Sequence, residues 1–88
     1  MRSFRTPQFR KLYEALPGDI KRKADEACHL FRLDPSRPSL HFKRVDDGGI
    51  PALWSVRIDR RYRALGLVEG DQITWVWIGP HTEYEQRI

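Results

Sequence analysis

At "DPSRPS", residues 34 to 39, the hydrophobic period of the chain changes from 3.6 to 2. Before it, Phe9, Leu12, Tyr13 and Leu16 recur at helical spacing behind a Thr6-Pro7 pair suited to an N-cap and first turn, and Pro17-Gly18 stops that helix. A second helix is predicted over 19–33. There Ile20, Ala24, Ala27, Cys28 and Phe31 make one apolar stripe, while Lys21, Arg22, Lys23, Asp25 and Glu26 face away. After it, strands are predicted at 40–45, 53–59, 62–69 and 72–79, with "DDGGIP", "DRR" and "EGD" as turns. Connections this short join antiparallel neighbours. Residues 1–5 are a further edge-strand candidate, and "PHTEYEQRI" a closing helical segment starting at Pro80. The expected fold class is therefore α+β: an N-terminal helical hairpin packed on a mainly antiparallel four-stranded sheet. Eighty-eight residues suffice for one core, so a single domain over 1–88 is expected.

Net charge +4 and a pI near 9.6 favour an acidic or polyanionic partner. One basic region lies at the front, where Arg2, Arg5, Arg10, Lys11, Lys21, Arg22 and Lys23 outnumber Glu14 and Asp19; a solvated helical face explains it equally well. The other is "WSVRIDRRYRALGL". Cys28 is alone, which rules out an intrachain disulfide and a cysteine metal cluster and makes a reducing cytoplasm the simplest compartment. No secretory signal or membrane-length apolar run is visible, so a soluble protein with no membrane partner is expected. His29, with no nearby third ligand in sequence, is a poor metal candidate.

Burial sets the register of the arginine hairpin. Pairing Arg57 with Arg63 puts Val56, Ile58, Tyr62 and Ala64 together on the face that can pack on the helices; a one-residue slip would mix charge with core. Like charges facing each other are costly, and an anion between them relieves that cost. Extending the register through the next turn, with Val68 opposite Gln72, predicts Trp77 opposite Arg63 and Trp75 opposite Leu65. Two readings of these rings are open: stacking platforms for unstacked RNA bases beside guanidinium forks, or a second small core beneath the chain terminus or a partner segment.

The order helix, helix, antiparallel sheet, with "VRIDRRYRALGL" and the ending "WVWIGPHTEYE", resembles the RelE/ParE superfamily of toxins from type II toxin-antitoxin pairs. A Tyr-Arg opening the third strand, an aromatic-aliphatic fourth strand and Gly-x-His-x-x-Tyr at its exit are similar to the RelE-like branch. The resemblance implies a toxin that enters the ribosomal A site and cuts bound mRNA without a metal or other cofactor. It also implies silencing by a cognate antitoxin, whose complex is expected to contact operator DNA. By the same resemblance Arg63 matches the arginine on the scissile phosphate, His81 the histidine of proton transfer, and Tyr84 a closing-segment tyrosine, with Arg57 near a commonly basic position. Paired lysines found in some members on the second strand are missing at Ser55 and Val56; Lys43, with His41 on the same side of the first strand, is the candidate substitute. Arg60, Arg61 and Trp77 complete the expected RNA-binding set. A ParE-like inhibitor of DNA gyrase and a non-catalytic antitoxin-binding homologue share the fold and remain alternatives.

Overall fold

A computed structural model describes residues 1–46 and 48–87. Asp47 in the expected "DDGGIP" turn and Ile88 at the end of the expected closing segment lie outside the described residues. Strand β1 (Arg2–Arg5) leads into helix α1 (Pro7–Glu14) and helix α2 (Gly18–Leu33), followed by strands β2 (Lys43–Arg44), β3 (Ala52–Arg57), β4 (Tyr62–Glu69) and β5 (Gln72–Pro80) and helix α3 (His81–Arg87). The Thr6 hydroxyl accepts from the Phe9 N–H at 3.1 Å, so α1 starts where the Thr-Pro pair placed it. Pro17 is the N-cap of α2 and Gly18 its first residue, so the Pro-Gly pair starts the second helix as well as ending the first.

The sheet has five strands in the order β1-β5-β4-β3-β2, and β1 runs parallel to β5. This corrects the expected four-stranded arrangement to a mixed sheet. The Arg2 N–H donates to the Asp71 carbonyl at 2.8 Å and the Thr6 N–H to the Trp75 carbonyl at 3.1 Å, fastening residues 2–5 along an edge that β5 would otherwise leave open. At the other edge the predicted strand over 40–45 shrinks to Lys43–Arg44. Pro38–Leu40 form a 3-10 turn that drives Leu40 into the core at 1% exposure, and His41 leaves that turn at φ 44. Burial of Leu40 outweighs its strand pattern, and the following Phe42 packs on Phe31 (5.0 Å between centroids) and Trp54 (4.5 Å).

Val56, Ala64 and Ile78 form one row across the sheet and bury against Phe9, Ala24, Ala27 and Phe31 of the two helices. That is the face assigned from the arginine register, and Arg57 is indeed paired with Arg63. The register of the next hairpin differs from expectation. Gly70, at φ 60, lets a two-residue turn pair Glu69 with Gln72, and a bulge between Leu65 and Gly66 puts Trp75 opposite Gly66 and Trp77 opposite Leu65. The two rings therefore leave on different faces: Trp75 joins the helix-side core, and Trp77 joins Leu65 and Tyr84 on the other side. Gly79, not Trp77, stands opposite Arg63.

Gly66 is required by close approach. A Cβ there would lie 2.7 Å from the side chain of Ile73, which is fully buried and has nowhere to move. Gly66→Ala is expected to lower stability by about 1–3 kcal/mol through overpacking, read as a fall in the urea midpoint with unchanged slope.

Candidate functional site

The connection between β3 and β4 is built around Asp59. Its Oδ1 accepts from the N–H groups of Arg61 (2.8 Å) and Tyr62 (2.9 Å), and its Oδ2 lies 3.3 Å from Lys23 Nζ. An Asp side chain capping the backbone two residues on is an ordinary turn former. Partial burial works against its ionisation, but the Arg61 N–H, Lys23 and the Tyr62 N–H outweigh it and hold the carboxyl below its usual value. The turn displays Arg60 and Arg61 to solvent and brings Arg57 and Arg63 abreast.

Arg63 is half-buried. Its Nη1 donates to the carbonyls of Asp59 (2.5 Å) and Tyr62 (3.0 Å), which fixes the guanidinium at the strand end. Burial first, and the charge of Arg57 second, lower its pKa, while Tyr84 and Asp59 oppose that shift. A guanidinium stays protonated under such a shift. The pair is thus held charged in mutual repulsion, and an anion shared between the two would be bound favourably.

Helix α3 carries the remaining residues onto this face. The His81 N–H donates to the Arg61 carbonyl at 2.6 Å, joining the start of α3 to the arginine turn. The imidazole lies against the Tyr84 ring at 5.8 Å with 29° between planes, and its Nε2 is 3.4 Å from Glu85 Oε1, one helical turn on. Tyr84 is 6% exposed and donates from its hydroxyl to Ser55 Oγ at 3.4 Å. No room exists for a side chain at Gly79, where a Cβ would meet the Trp77 ring at 2.6 Å; the indole lies over the glycine beside Arg63.

Arg57, Arg63, Tyr84 and His81 are therefore brought together from the ends of β3 and β4 and from α3. Arg60 and Arg61 line a cleft of about 330 Å³ with Tyr62, Pro80, His81 and Thr82. Lys43 is paired with Ser55, which places it on the face that carries Tyr84, Arg57 and Arg63. His41 is not brought there. The strand expected to carry it beside Lys43 does not extend that far, and it lines a separate groove with Pro35, Arg37, Phe42 and Trp54. Trp77 is on the arginine face but only 3% exposed beneath α3, which corrects the expectation of an open stacking ring: it and Tyr84 form the second small core. Sequence reasoning missed Ser55 as the buried partner of Tyr84, Tyr62 as a wall of the cleft, and Glu85. Only Glu85 carried a signal, its i+4 spacing from His81.

Among the described residues no group of three or more His, Cys, Asp or Glu is placed to hold a metal ion, and no helix is long and apolar enough to cross a membrane. The ParE-like toxin domain family matches residues 18–86. The chain belongs to the RelE/ParE superfamily of toxins. The sequence has no significant match among curated proteins. The fold of this ParE-like domain is that of several solved toxins. Against the archaeal RelE–RelB complex from Pyrococcus horikoshii OT3 the TM-score is 0.71 at 21% identity, covering 90% of this chain and 92% of the other. Against the RelB–RelE antitoxin–toxin complex from Methanococcus jannaschii it is 0.74 at 16% identity, covering 97% and 98%. YafQ from E. coli strain BL21(DE3) gives 0.73 at 10% identity, covering 96% and 98%.

Two measurements check this geometry in the toxin domain. Because Asp59 titrates lower when folded, the stability it contributes is present above the unfolded carboxyl value of about 3.9 and is lost as pH falls through its folded value. Asp59→Asn should therefore show a shallower loss of stability on acidification below about pH 4 than the parent chain, in urea unfolding at a series of pH values. Tyr84→Phe and Ser55→Ala should each cost about 1–2 kcal/mol by leaving a buried hydroxyl without its partner, and the double variant less than their sum.

Proposed function

We propose that this ParE-like domain is the toxin of a type II toxin-antitoxin pair and a metal-independent endoribonuclease that cuts mRNA in the ribosomal A site, inhibiting translation. The observation that carries the reading is the pairing of Arg57 with Arg63 beside a helix whose first residue, His81, is hydrogen-bonded to the arginine turn. Cleavage of RNA by its own 2′-hydroxyl needs a proton removed from that oxygen, charge stabilised on the phosphorane, and a proton given to the leaving 5′-oxygen; the products are a 2′,3′-cyclic phosphate and a 5′-hydroxyl. Arg57 and Arg63 hold the phosphate oxygens and meet the charge that develops on them. His81, whose imidazole can both donate and accept a proton, moves a proton on the same face. Tyr84 orients it by stacking and is itself fixed by Ser55. Lys43 lies on that face without a carboxylate partner among the described residues and is the candidate to assist at the 2′-hydroxyl. Arg60 and Arg61 contact the flanking RNA.

The cognate partner is an antitoxin protein, a reading supported by the two similar toxins solved in RelB–RelE complexes. The basic surface suits an acidic amphipathic antitoxin segment, operator DNA is met through that complex, and the place of action is the cytoplasm. A second reading, inhibition of DNA gyrase, is favoured by the ParE-like family match and has no need of a proton-transfer residue.

Primer extension on a defined mRNA, with and without translating ribosomes, separates the two. Ribosome-dependent cuts that disappear in His81→Ala are the expected result; that substitution keeps the backbone bond to Arg61. Loss of a charge-assisted contact in Arg63→Ala should slow cutting by about 1.5–3 kcal/mol, roughly 10- to 150-fold. Intact mRNA in every lane from folded protein, with gyrase supercoiling blocked by both the parent and His81→Ala, would replace the nuclease reading by the second.

A further inference from the structure

Tyr62 has a side chain that the fold does not account for. It opens β4 on the helix-facing side, yet it belongs to neither buried cluster, is half-exposed, and its hydroxyl makes no hydrogen bond among the described residues. Its ring is a shared wall of two clefts. One, about 330 Å³, contains His81; the other, about 700 Å³, lies between the turn and the start of α2 and contains Lys23 and Arg57. Arg60 and Arg61 border both.

The charges around that ring are mostly free. Among the described residues Arg57, Arg60 and Arg61 have no ion pair. Of the two carboxylates in the larger cleft, Asp59 is occupied by two backbone N–H groups and Lys23, which leaves only Asp19 in the wall. A half-exposed ring set among unpaired guanidinium groups and flanked by two clefts is complementary to a chain whose charges alternate with planar rings. That is single-stranded nucleic acid, in which the base takes the ring and the phosphates take the cations. An acidic peptide would satisfy the arginines and leave the ring without a function.

We propose that the β3–β4 turn is a saddle for single-stranded RNA, with Tyr62 stacking one base and Arg57, Arg60 and Arg61 holding the phosphates on either side of it. The saddle extends the proposed nuclease site, from which it is reached through the cleft of His81, and rests on that reading for the identity of the RNA. It also places Tyr62 against a base beside the reacting phosphate.

The test is fluorescence anisotropy of a labelled 2′-O-methyl octauridylate, which cannot be cut, across a series of salt concentrations. Tyr62→Ala should weaken binding about 10-fold, and Tyr62→Phe should change it less than about 2-fold. Arg60→Ala with Arg61→Ala, both at the exposed turn tip and so harmless to folding, should reduce the slope of log affinity against log salt by about 1.4. An unchanged salt slope in the arginine variant, undiminished binding by native-like Tyr62→Ala, or no binding by the parent chain would overturn the proposal. So would a glutamate-rich peptide that binds more tightly than the RNA and is indifferent to Tyr62. Binding that follows Tyr62 in a chain that leaves mRNA intact on ribosomes would retain the saddle and remove the nuclease; His81-dependent cutting with no effect of Tyr62 would do the reverse.

Discussion

Trp75 and Trp77 are two residues apart in one strand, yet they bury their rings on opposite faces of the sheet, and both layers of the protein depend on that. A bulge opposite Leu65 and Gly66 makes it possible by adding one residue to β5 between them. On the helix side, Trp75 lies 5.4 Å from Phe31 and 6.4 Å from Phe9 between ring centroids, donates its indole N–H to Ser3, and offers its carbonyl to both the N–H and the hydroxyl of Thr6. One residue thus ties α1, α2 and β1 to the centre of the sheet. On the other side, Trp77 and Leu65 are the floor on which Tyr84 lies, and Tyr84 in turn sets the position of α3 and of His81.

The candidate site follows from the same displacement. Without the extra residue, the strand's alternation would turn Trp77 toward the helices and leave α3 no apolar floor on the arginine face. With it, Gly79 falls opposite Arg63, the indole covers the glycine, and the chain enters α3 close enough for His81 to bond the arginine turn. Catalytic candidates from β3, β4 and α3 converge at one end of the sheet because a short turn and a helix start meet there. The turn is stiffened by Asp59, whose carboxylate has three partners.

Much of this was legible in the chain. The helix stripes of Phe9 to Leu16 and Ile20 to Phe31, the strands at 62–69 and 72–79, and the opposition of Arg57 and Arg63 all follow from local period and from the cost of burying charge. The site was legible only in outline. Arg63, Arg57 and His81 were marked by residue type and place, but the burial of Trp77 and Tyr84 and the exposure of Tyr62 were not, because an aromatic ring at a strand or helix position reads the same whether a neighbour covers it or not. His41 was misplaced for a related reason: Leu40 and Phe42 alternate like a strand, while Pro38 and the demand of the core for Leu40 bend the backbone into a 3-10 turn.

By itself, the sequence determined the two N-terminal helices and the strands of the arginine hairpin and its neighbour, which face of that hairpin is buried, and the basic character of the opposite face, since all three are set by side chains a few residues apart. Tertiary structure alone decided that residues 2–5 join β5 in parallel, that β5 bulges, and that α3 closes over Trp77. Each of these pairs groups distant in the chain, and their free energy is realised only when the partner surface is present; no local pattern of apolar residues distinguishes a strand with an added residue from one without it.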